Sequence, residues 1–560
     1  MTISHWLIAV LITLGGASQA AVQPPQRAPG AAPGAAGCER LASSAVPNTR
    51  IVLAQSVPAG AFDGPPAVFS GANLSSFYKS LPAFCRIVAK AQPSADSDIG
   101  IEVWMPTSGW NGKLRGLGNG GFAGQMDYMQ MGTAVKSGYA AAATDTGHTG
   151  GPVDASWAMG HPEKVIDFGH RAVHEMTLVA KALVRAFYGH GPERSYFAGC
   201  SDGGREALME AQRYPADYDG ILAGAPANDW TRLLTMSVMD SQALLVDPRS
   251  YIPPAKIAVI AAAVRDSCDE QDGLRDGIVN DPRQCPFDPA RLVCHSGEAD
   301  TCLTDQQASA LRKLYDGPRD SKGKLIFPGY SPGAEEGDGG WITWITGPAP
   351  GKSVMLMFGL GYFSNMVYEQ ADWDFKTFTP EAGLEAAERK TAAALNATDA
   401  NLEPFMKHGG KLLLYHGWAD PAIPPLNTIR YYDSVVSSLG QQRANSFVRL
   451  FMIPGMQHCS GGPGPDWIGQ DGVMEPGDPL HNANTALEQW VERGAAPAKL
   501  VATKLVMGES AGKARTTRLL CPHPTVARYS GSGDTGDAAN FECIAAPAGQ
   551  VGRGKKRSPR

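Results

Sequence analysis

Residues 194–212 run Arg194-Ser195-Tyr196-Phe197-Ala198-Gly199-Cys200-Ser201-Asp202-Gly203-Gly204-Arg205-Glu206-Ala207-Leu208-Met209-Glu210-Ala211-Gln212. The first third reads as a short buried strand. The last third is rich in strong helix formers, and Pro215 stops it just after Tyr214. Between them, Gly199-Cys200-Ser201-Asp202-Gly203 is a G-x-S-x-G pattern, which between a strand and a helix is the nucleophile elbow of an α/β-hydrolase. The glycines suit it because flanking side chains would collide where the strand reverses into the helix. A chain with 65 Gly in 560 residues can match the pattern by chance, but the strand and helix on either side argue for the elbow.

Chain order gives an independent check, since hydrolases of this fold place their triad as Ser, then Asp or Glu, then His. Lys411-Leu412-Leu413-Leu414-Tyr415-His416-Gly417-Trp418-Ala419-Asp420 is an apolar strand running into a loop that ends in an acid. Ser446–Ile453 is another strand, followed by Pro454-Gly455-Met456-Gln457-His458-Cys459. Asp420 and His458 therefore sit where an orienting carboxylate and a base belong, on loops held by a sheet. The plainer alternatives are a helix cap for Asp420 and an ordinary loop histidine for His458. Cys200 and Cys459, each beside one of the expected catalytic residues, add a geometric argument. If they pair, Cα atoms about 5.5–6 Å apart bring Ser201 and His458 within reach of each other.

Acyl transfer also needs donors for an oxyanion: one N–H from the residue after the nucleophile, one from a glycine-rich loop after an early strand. Asp202 is the first. Leu114-Arg115-Gly116-Leu117-Gly118-Asn119-Gly120-Gly121-Phe122 supplies the second, with Gly121 the first choice and Gly120 the next. This loop lacks G-x-x-x-x-G-K-[ST] and breaks G-x-G-x-x-G, which argues against a nucleotide site.

Taken together, Gly199-Cys200-Ser201-Asp202-Gly203-Gly204, His416-Gly417-Trp418-Ala419-Asp420 and His458-Cys459 resemble the tannase and feruloyl esterase family, which also includes esterases acting on mono(2-hydroxyethyl) terephthalate. The likeness extends to Gly118-Asn119-Gly120-Gly121, Cys521-Pro522 and Ala538–Cys543. Ten cysteines allow roughly 900 pairings. The resemblance implies Cys38–Cys85, Cys200–Cys459, Cys268–Cys285, Cys294–Cys302 and Cys521–Cys543. The short spacings agree for the last three, and zinc is the rival reading for Cys294 and Cys302, although no C-x-x-C pair occurs.

At 560 residues the chain exceeds one minimal hydrolase. Ser201 and Asp420 lie 219 positions apart, Asp420 and His458 only 38, so a large segment is inserted between nucleophile and acid. The expected organisation is a signal peptide over 1–20, a flexible leader over 21–36, the first hydrolase part over 37–226, an inserted lid over 227–400, the second hydrolase part over 401–548 and a basic tail over 549–560. Trp341, Trp344, Phe358, Tyr362, Phe363, Tyr368 and Trp373 give the insert aromatics that suit either a lid over an aromatic ligand or the lid's own core.

Within the insert, Asp269-Glu270-Gln271-Asp272-Gly273-Leu274-Arg275-Asp276-Gly277-Ile278 spaces three carboxylates around two glycines. Hard cations such as calcium take oxygens from such loops, but the spacing is not an EF-hand, and a solvated acidic turn is the alternative. The resemblance implies a calcium site with carboxylates at Asp269, Asp272 and Asp276 and backbone oxygens at Leu274 and Ile278. No organic cofactor is expected.

Trp6–Leu14 is apolar but too short to span a bilayer, and Ser18 and Ala20 suit signal-peptidase cleavage after Ala20, although Met1–His5 carries no Lys or Arg. With ten cysteines, this points to the periplasm or the medium. A net charge of −6 gives nucleic-acid binding no support, and no stretch argues for stable membrane insertion. The expectation is an exported serine esterase acting on small esters of hydroxycinnamic or gallic acids. A terephthalate monoester hydrolase of the same family and a catalytically silent binding protein are the alternatives.

Overall fold

In the computed structural model, alternation of apolar side chains builds a nine-stranded sheet whose two faces are both covered. Its strands are β1 (Thr49–Val57), β2 (Phe84–Ala91), β3 (Ile99–Pro106), β4 (Lys113–Leu117), β5 (Ala140–Thr144), β6 (Arg194–Cys200), β7 (Gly220–Gly224), β8 (Lys411–Gly417) and β9 (Val448–Ile453). The order is β1-β2-β3-β5-β4-β6-β7-β8-β9. The first three strands and β5 pair antiparallel, and from β5 onward the pairing is parallel. Parallel strands are sheathed on both sides, so their sequences read as near-continuous apolar runs. Within such a run neighbours still point opposite ways. Phe197, Leu412, Leu414 and Leu450 join the core under helices Ala172–Tyr188 and Asp202–Arg213, while Tyr196, Leu413, Tyr415 and Phe451 join the core under helices Tyr128–Lys136 and Ala483–Arg493.

Residues 37–68, 70–470, 478–505 and 514–546 are described here, and they fall in one compact unit. The expected signal peptide, leader and basic tail lie outside them. Strands β7 and β8 are parallel neighbours, Gly220 opposite Lys411, yet the chain between them holds helices Trp230–Leu245, Pro254–Cys268, Asp305–Asp316, Val354–Tyr362 and Pro380–Leu395. This insert has a core of its own, with Trp341, Tyr362 and Phe363 fully buried. That core continues into Phe122, Phe168, Ala419 and Ile423 at the top of the sheet, so the insert is welded to the loops around the elbow.

The loop after β9 does not run straight on but folds back over the end of β8. Trp418 N–H donates to Ile453 O, and Ala419 N–H to Met456 O, at 2.9 and 3.0 Å. The crossing is so close that a Cβ at Gly417 would lie 2.2 Å from Met456 O. Gly417→Ala must therefore displace the loop that carries His458. We expect a loss of about 1–3 kcal/mol by overpacking, read as a lower Tm in calorimetry, with turnover falling alongside it.

Candidate active site

Ser201 occupies the sharp turn between β6 and the helix Asp202–Arg213 with φ 66° and ψ −121°. A non-glycine residue there stores about 1–3 kcal/mol of strain and persists only where its surroundings over-determine it. They do so here. Ser201 N–H donates to Gly224 O at 3.0 Å, and Ser201 O accepts from Ala227 N–H at 3.1 Å, tying the turn to the end of β7. Behind it, Arg205 and Asp202 form a fully buried ion pair at 2.6 Å. The guanidinium packs over Phe168 and Trp230, at 4.8 and 5.4 Å from their ring centres, and donates to the carbonyls of Phe168 and Gly169. Burial raises the Asp202 carboxyl, and Arg205 opposes that rise.

Asp420 follows β8 and is wholly buried. Its Oδ1 accepts the N–H groups of Ala422 and Ile423 at 2.8 and 2.9 Å. Its Oδ2 accepts His458 Nδ1–H at 2.8 Å and His416 Nε2–H at 3.0 Å. Burial alone would raise this carboxyl, but the His458 charge and the hydrogen bonds from His416 and His458 hold it well below the ordinary carboxylate range. Because His458 Nδ1 is engaged by the carboxylate, Nε2 is the nitrogen left for chemistry.

His416 is the residue that sequence reasoning quoted without assigning a role. Buried at the end of β8, its Nδ1 meets Thr428 Oγ1 at 2.8 Å, while Nε2 also reaches Ile423 O at 3.0 Å. With two acceptors at Nε2, that nitrogen carries the hydrogen and the threonine hydroxyl donates to Nδ1. The available signal was a histidine inside an apolar strand, four residues before the acid, where a buried imidazole must find partners.

The glycine-rich loop after β4 is held from below. Asn119 N–H donates to Glu206 Oε2 at 2.8 Å, its side-chain amide to Thr144 O at 2.9 Å, and its carbonyl accepts Gly203 N–H at 2.8 Å. Gly121 has φ 61°, and a Cβ there would stand 2.1 Å from Pro152 O, so only glycine brings this amide to its position. Gly121, Asp202, Ser201 and His458 line one slot, whereas Gly120 does not.

That slot is apolar and narrow, about 30 Å³. Trp230, Leu233 and Leu234, spaced i, i+3, i+4 on one helix, form one wall. Met355, Phe358 and Trp344 close it from the insert. Of the seven insert aromatics, Trp344 and Phe358 thus reach the slot, while Trp341, Tyr362 and Phe363 are core and Tyr368 and Trp373 pack against Phe363. The Trp344 ring stands edge-on to His458, centroids 5.1 Å apart. Beyond that pair opens a second, wider cleft of about 710 Å³, whose wall includes Arg265, Glu335, Glu336, Asp338 and Gln457.

The five bridges Cys38–Cys85, Cys200–Cys459, Cys268–Cys285, Cys294–Cys302 and Cys521–Cys543 are all present, so Cys294 and Cys302 are not zinc ligands here. Cys200 and Cys459 have Cα atoms 6.0 Å apart.

In the acidic loop, Asp269 accepts from Gly277 N–H at 3.1 Å, Asp272 from Leu274 N–H at 3.0 Å and Asp276 from Ile278 N–H at 3.1 Å. Asp276 also pairs with the buried Arg518. Among the described residues, no three His, Cys, Asp or Glu side chains converge as a metal site. The fit to calcium is one of donor chemistry: an all-oxygen set. Asp272 is pushed up to about 6 by burial and by the charge of Asp276, against the hydrogen bond from Leu274, a condition that a cation relieves.

A mixed, mostly parallel sheet with a strained serine elbow, and with an Asp–His pair beyond its last strands, defines an α/β-hydrolase. Comparison then narrows the class. The family model described as tannase and feruloyl esterase matches residues 85–544. An uncharacterized esterase of Xanthomonas campestris pv. campestris is 39% identical, covering 92% of each chain. A probable feruloyl esterase B-2 of Aspergillus terreus is 31% identical, covering 96% of this chain and 99% of its own. The crystal structure of feruloyl esterase B from Aspergillus oryzae superposes with a TM-score of 0.82 at 29% identity, covering 91% of this chain and all of the other. The chain belongs to the tannase and feruloyl esterase family, whose members are carboxylic ester hydrolases.

The bridge beside Ser201 and His458 is directly testable. A loop of this length contributes about 5–6 kcal/mol in the chain-entropy model, but a displacement of about 1 Å at the site costs about a hundredfold in rate. Replacing Cys200 and Cys459 together by Ala should lower turnover about a hundredfold per folded molecule, with folded protein counted by active-site-independent calorimetry. Full turnover per folded molecule would make the bridge structural only.

Proposed function

We propose that the protein is an exported serine esterase that hydrolyses esters of hydroxylated aromatic acids such as ferulic, caffeic or gallic acid. The observation carrying this is the convergence of Ser201, His458 and the Gly121 and Asp202 amides on one apolar, aromatic-walled slot. Ser201 Oγ attacks the ester carbonyl while His458 Nε2 takes its proton. The carbonyl oxygen, now an oxyanion, is held by the N–H groups of Gly121 and Asp202. His458 returns the proton to the departing alcohol, leaving an acyl-enzyme. Water, deprotonated by the same nitrogen, then attacks the acyl carbon, and His458 returns that proton to Ser201 Oγ as the acid leaves. Asp420 fixes the imidazole and stabilises its charged form.

The slot as it stands holds little more than two waters. An aromatic acyl group therefore enters by displacing side chains, and unbranched Met355 gives way most readily. Two of the three proteins compared above carry feruloyl esterase names, which favours a hydroxycinnamic acid, and none of the three lends support to the terephthalate alternative. A silent binding protein has no need of a strained serine facing an oriented histidine. Five disulfides suit an oxidising compartment, and among the described residues no helix is long and apolar enough to cross a membrane.

Ser201→Ala should leave the fold intact and lower turnover of methyl ferulate by several decades, the remainder coming from binding and the oxyanion donors. A folded variant keeping a tenth of the activity would remove Ser201 from the mechanism.

Calcium at Asp269, Asp272 and Asp276, with the Leu274 and Ile278 carbonyls, is proposed as a support of the insert, taking no part in the chemical steps. The raised Asp272 carboxyl favours the protonated loop below about pH 6, and calcium must displace that proton. Added calcium should therefore raise Tm more at pH 7 than at pH 5. If chelation leaves Tm unaltered at both, the loop is a solvated turn.

A further inference from the structure

The loop that presents the Gly121 amide is clamped by a second loop, which follows β5 and takes no part in the chemical steps. Phe122, directly after Gly121, is held at both ends of its backbone. Its N–H donates to Pro152 O at 2.7 Å, and its carbonyl meets His148 Nε2 at 2.7 Å. A carbonyl can only accept, so Nε2 carries the hydrogen. Resting on the esterase reading above, we propose that His148 is a positioning residue of the oxyanion site: by holding Phe122 O it fixes the turn that aims the Gly121 amide, and so acts on the transition state without touching the substrate.

Three features support this. The turn is strained: Ala123 N–H closes it on Gly120 O at 3.0 Å, but Ala123 itself, a non-glycine, sits at φ 58° beside Gly121 at φ 61°. Such backbone persists only where its neighbours over-determine it, and His148 and Pro152 are those neighbours. Second, His148 is itself preset. Thr146 has φ 61°, and its N–H donates to Thr144 Oγ1 at 3.1 Å. Asp145 Oδ1 accepts from Gly147 N–H and from Gly100 N–H, each at 2.8 Å, which ties the loop to β3. The imidazole, 5% exposed, stacks on Trp157 with ring centroids 3.8 Å apart. Burial pushes it down to about 4, so it stays a neutral ring with one donor near pH 7. Third, the Phe122 ring is fully buried, against Trp230 and Phe358 at 5.8 and 5.2 Å between centroids. Packing thus fixes the ring, and what His148 decides is the direction of the peptide planes beside it.

Methyl ferulate turnover and phenylboronic acid binding test it, since boron bonded to Ser201 Oγ places an oxygen where the oxyanion sits. His148→Phe keeps a ring on Trp157 and removes the donor. His148→Gln sets an amide N–H near the place of Nε2, whereas His148→Asn sets one nearer Nδ1, too short to reach Phe122 O. Per folded molecule counted by calorimetry, kcat should fall about tenfold or more in the Phe and Asn variants, toward the roughly 10²–10³ that loss of one oxyanion donor costs, with KM within about twofold. Boronate affinity should fall in step with kcat, and the Gln variant should recover most of both. If the Phe variant does not fold, the Gln and Asn variants carry the comparison. Wild-type kcat without the donor, a loss that falls on KM, boronate affinity unmoved while kcat drops, or Gln no better than Asn overturns the positioning role and leaves the esterase reading standing. A wild type without turnover of methyl ferulate overturns both.

Discussion

The site depends on a covalent crossing. Strands β6 and β9 are separated in the sheet by β7 and β8, so at about 4.8 Å per strand their ends stand roughly 14 Å apart. Cys200 ends β6 and Cys459 lies six residues past the end of β9, yet their Cα atoms are 6.0 Å apart. The β9 loop can close that gap only by folding back over β8, which is why Gly417 has no side chain and why Met456 O lies against it. Both ends of the bridge border strained backbone: Ser201 at φ 66° and Cys459 itself at φ 62°. A bond that fixes two strained residues together over-determines both, and Ser201 and the His458 imidazole inherit their placement from it.

Given that frame, the electrostatics follow from burial. Asp420 is sealed from water, where an unpaired carboxylate would take up a proton. Four hydrogen bonds keep it ionised, and two of them come from histidines sharing one oxygen. His416 is thereby a positioning residue: locked by Thr428, it holds the Asp420 oxygen on which His458 hangs. Beneath the elbow, Arg205 neutralises Asp202, and Glu206 holds the loop that presents Gly121. The two cavities on either side of Trp344 and His458 differ in character, one narrow and walled by apolar side chains, the other wide and lined by charged and amide groups among glycines.

Much of this was legible in the chain. The elbow is written in Gly199–Gly204 with an apolar run before it and helix formers after it, because the backbone reversal and the buried strand each impose local composition. The order Ser201, Asp420, His458 and the long gap between the first two reveal the insert. What was not legible depends on contacts far apart in sequence. Asn119 meets Glu206, and Gln457 meets Glu336 across 121 positions. Nothing local in either segment announces such a pairing. Aromatic residues of the insert look alike in sequence, and only packing separates Trp344 and Phe358 from the core trio of Trp341, Tyr362 and Phe363. His416 was hidden because a histidine in an apolar strand looks like any other until its partners are known.

Covalent labelling tests the central claim most directly. The protein, with its disulfides intact, would be treated with a fluorophosphonate ester, digested without reduction and mapped by mass spectrometry. The account predicts one adduct per chain, on Ser201, in a peptide still bonded through Cys200 and Cys459 to the peptide that carries His458, and loss of ester turnover in proportion to labelling. An adduct on another serine, or full loss of turnover with Ser201 unmodified, would contradict it.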